Sequence, residues 1–406
     1  MFCLDDYDCI GFDLDNTLAE YNVSALMELE YGVLAKFLIE QKGYDSELLS
    51  KPYKDGEQFL QKGLFMDLKK GNIVKVGQDG KVLKCCHGTR QMSDDEVIKA
   101  YGSDKIWQDA KSYIEDPLSA WNTPLEKRIR SVMDSFDTPG ILIFARIIDT
   151  IDKKAGKEVE EYDVWPDILE GLYAMYERSN FAKGTGGFFS NLIQNPDSYY
   201  KKCSEKTLAW LKELRKTKFL VLITGSHIDF ASFTASTCLG PDWKDYFDAV
   251  ICYARKPLFF ITERPFLKLS GVTETVSVSL NEIENNFCLS QGNWKDLIKF
   301  VGMKRKVQDP KSLYIGDNLI QDVYTPVKYK CCDAVAVSSE LNRDSNKFWG
   351  SYFDRKDGTD TFWNYIIKTH AKICVSDLSV FANKKTSFQF VSFKGGDGND
   401  GGYYSQ

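Results

Sequence analysis

The chain has 406 residues, a formal net charge of −6 and 43% hydrophobic residues. This length exceeds one ordinary hydrophobic core and predicts two domains. The acidic balance excludes the long-range attraction on which binding of nucleic acid or anionic lipid depends, so any phosphate site must be local. We therefore expect no nucleic-acid partner and no membrane partner.

The cysteines, the N-terminus and the apolar runs indicate the cellular compartment of the protein. The 11 cysteines lack the spacing of metal ligands, and their odd number favours reduced thiols. The N-terminus has no basic segment ahead of an apolar one and does not resemble a signal peptide. The strongest apolar run, Ile141–Ile148, is too short for a membrane span and contains Arg146. Together these features predict a cytoplasmic protein.

The apolar run Cys9–Phe12 predicts a strand, and Asp13-Leu14-Asp15-Asn16-Thr17 follows it. Open α/β sheets bind their ligands at the carboxyl ends of the strands. There, the first carboxylate could attack phosphorus or hold a cation, and the second could transfer a proton. An acidic turn explains the same residues, because Asp and Asn favour turns. The five residues alone leave both interpretations open.

The region after this strand predicts a separate, mostly helical domain. A helical pattern runs from Ser24 to Gln41, and Ile73–Lys84 predicts a β-hairpin around a glycine-bearing turn. The glycine-rich stretch Lys183–Gly187 lacks the Lys-Ser/Thr of a phosphate-binding loop and is interpreted as a loop or hinge, with a phosphate cradle as the alternative. We assign residues 21–203 to a cap insertion.

From Ser204 onward, predicted helices and strands alternate. The predicted strands end near Ile223, Tyr253, Ile315 and Val337. Such alternation implies a parallel sheet with helices on both faces, and Cys9–Phe12 supplies its central strand. The fold class is therefore α/β, with a discontinuous core formed by residues 1–20 and 204–346.

The C-terminal part of the chain receives two assignments. Residues 347–390 are rich in aromatic side chains and are expected to form a helical segment. Residues 391–406 are expected to form a flexible tail, because Gly, Asp and Asn dominate from Gly395 to Gln406.

Two further strand ends carry groups that suit phosphate. Thr224-Gly225-Ser226 follows one strand, where a hydroxyl and backbone N–H groups could hold phosphate oxygens. Ser226 could equally cap the following helix. Lys256 follows the next strand and could neutralise a phosphoryl group, although a surface lysine is the ordinary alternative.

Carboxylates follow the strand Leu313–Ile315. Asp317 comes after Gly316, and Asp322 lies five residues further on. Carboxylates near those of the first strand suit Mg²⁺, which prefers oxygen ligands. Four strand ends of this kind in order favour a phosphoryl-transfer site much more strongly than any one of them.

These motifs resemble the haloacid dehalogenase superfamily of phosphotransferases and, more closely, its cytosolic 5'-nucleotidase branch. The similar segments span about residues 5 to 340: Gly11–Leu18, Gly71–Lys75 through His87-Gly88, Ala254–Phe260 and Tyr314–Asp317. The resemblance implies a Rossmann-like core with a parallel sheet, joined to a large, mostly helical cap that contains a β-hairpin.

The resemblance also implies roles for individual residues. Asp13 would be the nucleophile that forms an aspartyl-phosphate. Asp15 would protonate the leaving alkoxide and later deprotonate the attacking water. Phosphoryl oxygens would be held by Thr224 and Lys256, and Gly225 and Ser226 complete the expected phosphate site. This division of labour agrees with the chemistry of a two-step phosphate transfer.

The cation site is implied in the same way. Asp13, the backbone carbonyl of Asp15 and Asp317 would bind Mg²⁺. Asp322 would orient Lys256 or a water on the metal. The histidines at 87, 227 and 370 make no ligand set by their spacing, and we expect none of them to take part in metal binding or proton transfer.

The expected function is Mg²⁺-dependent hydrolysis of a small-molecule phosphate monoester, a nucleoside 5'-monophosphate or a similar compound. The alternative is a non-catalytic ligand-binding or regulatory protein that retains the fold. A homo-oligomer is compatible with the sequence, which identifies no other partner.

The cap departs from one member of the branch. The member that prefers 6-oxopurine nucleotides reads the base with an arginine and an aspartate on a helix after an Asp-Val step. In this chain the step is Asp163-Val164, and the two positions hold Trp165 and Leu169. An indole cannot make the bidentate hydrogen bonds of an arginine. We therefore expect no marked preference for 6-oxopurines.

Overall fold

The computed structural model describes residues 1–118, 123–283, 287–342, 348–353, 355–356, 359–393 and 401–405. The chain forms two compact units. Unit 1 comprises Met1–Tyr21, Tyr200–Arg343 and Ile366–Gln406, and unit 2 comprises Asn22–Tyr199 and Asp344–Tyr365. The expected boundary at residue 346 and much of the expected tail, 394–400 and 406, lie outside the described residues.

The described strands follow in chain order: β1 (Cys9–Phe12), β2 (Glu20–Tyr21), β3 (Leu64–Asp67), β4 (Asn72–Val76), β5 (Val82–His87), β6 (Arg90–Gln91), β7 (Ile129–Ser131), β8 (Tyr200–Lys201), β9 (Phe219–Ile223), β10 (Ala249–Cys252), β11 (Phe266–Ser270), β12 (Thr273–Val278), β13 (Phe287–Gln291), β14 (Ser312–Gly316), β15 (Asp333–Val337), β16 (Arg355–Lys356), β17 (Thr359–Asp360), β18 (Ala371–Val375) and β19 (Tyr403–Tyr404).

The described α-helices are α1 (Val23–Lys42), α2 (Ser46–Leu49), α3 (Asp94–Tyr101), α4 (Gln108–Glu115), α5 (Thr138–Ala155), α6 (Trp165–Met175), α7 (Arg178–Lys183), α8 (Gly187–Gln194), α9 (Pro196–Tyr199), α10 (Glu205–Thr217), α11 (Ile228–Leu239), α12 (Leu258–Ile261), α13 (Trp294–Arg305), α14 (Thr325–Lys328), α15 (Phe362–His370) and α16 (Ser379–Ala382). A π-helical turn, Leu319–Tyr324, precedes α14.

A ten-stranded sheet forms the core of unit 1, in the order β12-β11-β13-β10-β9-β1-β14-β15-β18-β19. From β13 to β19 neighbouring strands are parallel, whereas β11 and β12 add an antiparallel edge. All residues of β1, β9, β10 and β14 are buried, as continuous apolar runs in a two-sided sheet predict. The prediction that Cys9–Phe12 is a central strand is confirmed, because β1 lies between β9 and β14.

Helices follow the strands of this sheet as the alternation predicts. Ser204 caps α10 by accepting a hydrogen bond from the Thr207 N–H, and α10 leads directly into β9. Phe259, Trp294 and Phe300, from α12 and α13, pack on the side chains of the sheet. These helical side chains therefore form a hydrophobic core together with the side chains of the sheet.

Unit 2 combines helices with a second sheet. This antiparallel sheet has the order β6-β5-β4-β3-β7, and its β4–β5 pair confirms the predicted hairpin. β3 and β7 lie in segments where no strand was predicted. The glycine-rich stretch Lys183–Gly187 connects α7 to α8, as the loop interpretation predicts, with Gly184 and Gly186 at positive φ.

The C-terminal segment differs from the expected helical segment and flexible tail. α15 is helical, but Ala371–Val375 forms β18, which pairs in parallel with β15. Tyr403 and Tyr404 then pair with β18 as β19. The apolar run Ile373–Val375 is buried in the sheet, which accounts for a strand where aromatic content alone suggested a helix.

Two further observations concern the whole chain. Within the described ranges, every helix is too short or too polar to span a lipid bilayer. All 11 cysteines lie in the described residues, and none of them forms a disulfide.

Candidate active site

The predicted strand-end residues of unit 1 meet at one edge of its sheet. Phe12 is in register with Leu222 of β9 and with Ile315 of β14, so the residues after these strands emerge side by side. The N–H of Asp13 donates to the Ile315 carbonyl over 2.9 Å. Because β1, β9, β10 and β14 are parallel neighbours, their carboxyl ends lie side by side, where open α/β sheets bind ligands.

Lys256 joins two of the predicted carboxylates. Its Nζ lies 2.8 Å from Oδ1 of Asp13 and 2.7 Å from Oδ1 of Asp322. It also contacts the Tyr314 hydroxyl over 3.1 Å. The Lys256 side chain is only 3% exposed, so the surface-lysine alternative is wrong.

The electrostatics of this cluster follow from burial and pairing. Burial alone would lower the pKa of Lys256, but the carboxylates of Asp13 and Asp322 outweigh it and raise this pKa well above its usual value. Burial also raises the pKa of Asp322, against the opposing effect of the Lys256 ammonium. The lysine is therefore a fixed positive charge held between two acidic groups.

Asp317 completes a group of acidic side chains that could hold a cation. Carboxylate oxygens of Asp13, Asp317 and Asp322 lie within 4.8 Å of one another, and all three residues are buried. Such a set of hard oxygen donors fits Mg²⁺, whereas soft or mixed-donor metals prefer thiolate and imidazole. Asp322 already uses both oxygens, since Oδ2 accepts from the Asn318 N–H over 3.1 Å.

Asp15 occupies a different environment from Asp13. Its Oδ1 accepts from the Tyr21 hydroxyl over 2.5 Å, and its Oδ2 accepts from the Ser226 hydroxyl over 3.1 Å. Burial and the neighbouring Asp13 raise the pKa of Asp15 to about 6, although these two hydrogen bonds oppose the rise. A carboxyl group with this pKa can both donate and accept a proton near neutral pH.

The Thr224-Gly225-Ser226 segment leaves β9 and turns into α11. Thr224 is fully buried, and its Oγ1 accepts from the Ser226 N–H over 3.0 Å. Gly225 is exposed, and a Cβ there would meet no atom within 4 Å, so its backbone is approachable. The helix-cap alternative for Ser226 is wrong, because the cap position of α11 is His227 and the Ser226 hydroxyl binds Asp15.

Sequence reasoning missed two tyrosines that contact the predicted residues. Tyr314 contacts Lys256 and donates its hydroxyl to the Ile223 carbonyl over 2.9 Å. Its ring packs so closely on Gly11 that a Cβ at this glycine would lie only 2.6 Å from the ring. Tyr21 binds Asp15 from six residues further along the chain. The glycine opposite Tyr314 was the one available signal, since glycine in a strand often marks a close approach.

The histidines have partners of their own. His227 stacks on Tyr253 with ring centroids 4.0 Å apart. In unit 2, His87 bonds through Nδ1 to Asn72 over 2.8 Å and through Nε2 to Asp152 over 2.8 Å. The expectation that the histidines take no part in the chemistry stays a prediction.

The fold and this edge define the class of protein. A parallel sheet with an Asp-x-Asp turn after its central strand, joined to a second unit, is a haloacid dehalogenase-like arrangement. The sequence profile of the 5' nucleotidase family matches residues 2–345, and the chain therefore belongs to the 5'-nucleotidase family. The resemblance drawn from the motifs is thereby confirmed.

Individual relatives match most of the chain. Bovine 5'-nucleotidase domain-containing protein 1 is 30% identical over 99% of this chain and 96% of its own length. Its human counterpart is also 30% identical, again over 99% of this chain and 96% of its own length. Rat 5'-nucleotidase domain-containing protein 2 is 26% identical over 84% of this chain and 58% of its own length.

A solved structure is also similar. The magnesium-bound crystal structure of the putative HAD-hydrolase YfnB from Bacillus subtilis aligns with 82% of this chain and 89% of its own, at 11% identity. Its TM-score is 0.27.

Proposed function

We propose that this protein is a Mg²⁺-dependent phosphatase that hydrolyses a phosphate monoester, with a nucleoside 5'-monophosphate as the expected substrate. The observation that carries the proposal is the buried contact between Asp13 and Lys256, beside Asp15 and Asp317 at one sheet edge. It supplies a nucleophile, a fixed cation, a proton donor and a cation site together. Membership of the 5'-nucleotidase family supports the same reaction.

In the first step, a carboxylate oxygen of Asp13 attacks phosphorus while the bond from phosphorus to the ester oxygen breaks. Asp15 gives its proton to the departing alkoxide, so the products are an aspartyl-phosphate and an alcohol. Lys256 and Thr224 bind the phosphoryl oxygens and stabilise the charge on them. The contact of Lys256 with Asp322 fixes the ammonium, which supports Asp322 as a residue that orients it.

In the second step, Asp15 is a carboxylate and accepts a proton from water. The water oxygen attacks phosphorus, the bond to Asp13 breaks, and inorganic phosphate and free Asp13 result. The pKa of Asp15, raised to about 6 by burial and by Asp13, suits a group that must change protonation state once in each step. Two displacements with one carboxylate nucleophile replace a single attack by water.

Mg²⁺ would be held by Asp13, Asp317 and the backbone carbonyl of Asp15. When bound, it would neutralise negative charge on the phosphoryl group. The buried carboxylate oxygens of Asp13 and Asp317 support this choice of ion. Both carboxylate oxygens of Asp322 already accept hydrogen bonds, so we assign Asp322 to the orientation of Lys256 and not to direct coordination.

The domain assignment belongs to the same proposal. We assign unit 1 as the catalytic core and unit 2 as the cap that selects the substrate. The cytoplasmic location and a small-molecule phosphate partner stay predictions.

The test is phosphate release from a panel of nucleoside monophosphates and sugar phosphates, with and without Mg²⁺. We expect Asp13→Asn to lower turnover by more than about a thousandfold, because an amide is nearly isosteric but a far poorer nucleophile. Asp333→Asn is the matched control. Asp333 is the first residue of β15 and therefore lies at the amino ends of the parallel strands, opposite the candidate site.

The outcomes separate the two candidate functions. Equal activity of the wild type and Asp13→Asn would refute the mechanism. Absence of activity from both, with Mg²⁺ present, would favour a ligand-binding or regulatory protein that retains the fold.

A further inference from the structure

The carboxyl group of Asp15 is held by a hydroxyl on each of its oxygens. Tyr21 donates to Oδ1 over 2.5 Å and Ser226 donates to Oδ2 over 3.1 Å. Tyr21 is 4% exposed, so water does not compete for this bond as it would at the surface. The two bonds together fix the plane of the carboxyl group and leave a second lone pair on each oxygen.

Tyr21 reaches Asp15 because the chain folds back after the first strand. The N–H groups of Leu18 and Ala19 both donate to the Leu14 carbonyl, which closes a tight loop around Asp15. Asn16 lies in the left-handed region at φ 55°, a conformation that asparagine tolerates better than most residues. The loop then enters β2, where Tyr21 is the last residue.

The ring of Tyr21 is braced by the strand beside it. β2 pairs with β8, Tyr21 lies opposite Tyr200, and the two ring centroids are 4.9 Å apart. The Tyr200 hydroxyl lies 3.2 Å from Oγ1 of Thr234 on α11, the helix that follows Ser226. Both hydroxyls on Asp15 therefore depend on α11 and the segment before it.

Building on the proposed function, we propose that Tyr21 is a positioning residue for Asp15, holding its carboxyl group where it can protonate the leaving alkoxide. Without the Tyr21 hydroxyl, one hydrogen bond from Ser226 remains, and the carboxyl group can turn about its Cβ–Cγ bond. Phenylalanine would retain the ring and its packing on Tyr200. Tyr21→Phe thus removes the hydrogen bond that orients the acid, together with the hydroxyl interaction of Tyr21 with Tyr200.

The experiment compares two substrates that differ in their need for an acid. The alkoxide of a nucleoside monophosphate requires a proton as it leaves, whereas the anion of 2,4-dinitrophenyl phosphate leaves without one. The ratio kcat/KM is measured because it reports only the steps through departure of the leaving group. We expect Tyr21→Phe to lower kcat/KM about ten- to a hundredfold for the nucleotide, part of the usual contribution of a general acid. The aryl substrate should change less than about threefold.

The control is another buried tyrosine that binds a carboxylate. The Tyr7 hydroxyl donates to Oδ2 of Asp333 over 2.8 Å, and Tyr7 is 3% exposed. Tyr7 precedes β1 and lies near the amino end of this strand, whereas Asp15 follows its carboxyl end. Tyr7→Phe should leave both kcat/KM values unchanged, and thermal unfolding is followed for each variant.

Each outcome decides the matter. A selective loss on the nucleotide supports the positioning role, whereas an equal loss on both substrates, or no loss, overturns it while the active wild type leaves the proposed function intact. The alkyl substrate is whichever monoester of the phosphate panel the wild type hydrolyses, and a wild type inactive on the whole panel and on the aryl phosphate overturns the proposed function and this role with it. If Tyr21→Phe fails to fold, Ser226→Ala removes the hydroxyl on the other oxygen, and the same selective loss is required of it.

Discussion

At the scale of single residues, the buried carboxylates of this protein have two kinds of surroundings. Asp13 and Asp322 share the Lys256 ammonium, so their charges are compensated. Glu30 is fully buried in α1, and burial raises its pKa well above the usual value, although an interaction with Tyr176 opposes the rise. A carboxyl group in such a place is held neutral by its surroundings.

Glu30→Gln should therefore stabilise the protein increasingly as the pH rises. The folded state holds the Glu30 proton above the pKa of the unfolded chain, so the wild type is fully stabilised below pH 4.5, the ordinary value for Glu, and loses stability as the pH rises towards the folded pKa. Glutamine carries no such dependence. The difference should grow by up to about 1.4 kcal/mol per pH unit.

Urea unfolding of the wild type and Glu30→Gln at pH 5, 6 and 7 measures this difference. Glu28 is exposed on the same helix, and Glu28→Gln is the matched control for the replacement of a glutamate by glutamine in α1. A constant difference for Glu30→Gln would mean that Glu30 is ionised in the folded protein.

At the scale of elements, the pairing of β1 with β14 bears on a contact of Lys256. Gly11 is in register with Tyr314, and the absence of a side chain on Gly11 makes room for the tyrosine ring. The Tyr314 hydroxyl in turn contacts Lys256. A glycine within the central strand therefore affects the geometry of the candidate site.

Gly11→Ala should reduce both stability and activity. A Cβ would come within 2.6 Å of the ring of Tyr314, and overpacking of this kind costs about 1–3 kcal/mol. Displacement of the ring moves a contact of Lys256, so phosphate release should fall about tenfold or more, the effect of losing about 1.4 kcal/mol of transition-state stabilisation. Urea unfolding and the phosphate assay measure the two effects.

Gly32→Ala is the matched control for this substitution. Gly32 is exposed on α1, and a Cβ there would meet no atom within 4 Å. Alanine should stabilise the helix by up to about 1 kcal/mol and leave activity unchanged. An unchanged stability of Gly11→Ala would show that Tyr314 can move aside without cost.

Elements with strong local signals could be predicted from the sequence. β1, β9, β10 and β14 are short apolar runs buried on both faces, and residues of the candidate site follow each of them. β12, by contrast, is mostly exposed and lies at the edge of the sheet, so its sequence carries no such run. β19 has two residues and exists only through pairing with β18, a contact that no local pattern encodes.

The candidate site divides in the same way. Asp13, Thr224 and Asp317 could be predicted because parallel strands bring their carboxyl ends together whatever the loops do. Tyr21 could not, because its contact with Asp15 depends on the path of the loop and on the pairing of β2 with β8. A contact between side chains that depends on strand register and on the path of a loop can be identified only from the three-dimensional structure.

At the scale of the whole molecule, negative charge opposes the binding of a phosphate ester. The net charge is −6, and the candidate site brings carboxyl groups of Asp13, Asp15, Asp317 and Asp322 around Lys256. A phosphate dianion would meet an acidic edge on an acidic protein. A divalent cation would offset this repulsion, which is a physical reason to expect Mg²⁺ dependence that is independent of the family.

Substrate selection is the remaining property of the whole protein, and α6 bears on it. Trp165 begins this helix and is half-buried, and the Arg130 guanidinium lies 5.8 Å from the centre of its ring. A Cβ built on Gly140 would lie 3.8 Å from the same ring, so the ring packs against α5. Trp165 thus has packing partners within unit 2, and Leu169, also half-buried, offers no hydrogen-bonding group.

We therefore expect turnover of nucleoside monophosphates without a marked preference for inosine or guanosine monophosphate. The branch member that selects 6-oxopurines uses an arginine and an aspartate at the positions of Trp165 and Leu169, and neither residue can replace their charge-assisted hydrogen bonds. Comparison of kcat/KM for inosine, guanosine, adenosine, cytidine and uridine monophosphates is the measurement, and adenosine monophosphate is the critical reference because it differs from inosine monophosphate at the 6-position alone. Two good polar contacts are worth about a hundredfold in specificity. A 6-oxopurine preference of that size would show that other residues read the base, or that α6 is misaligned with its counterpart.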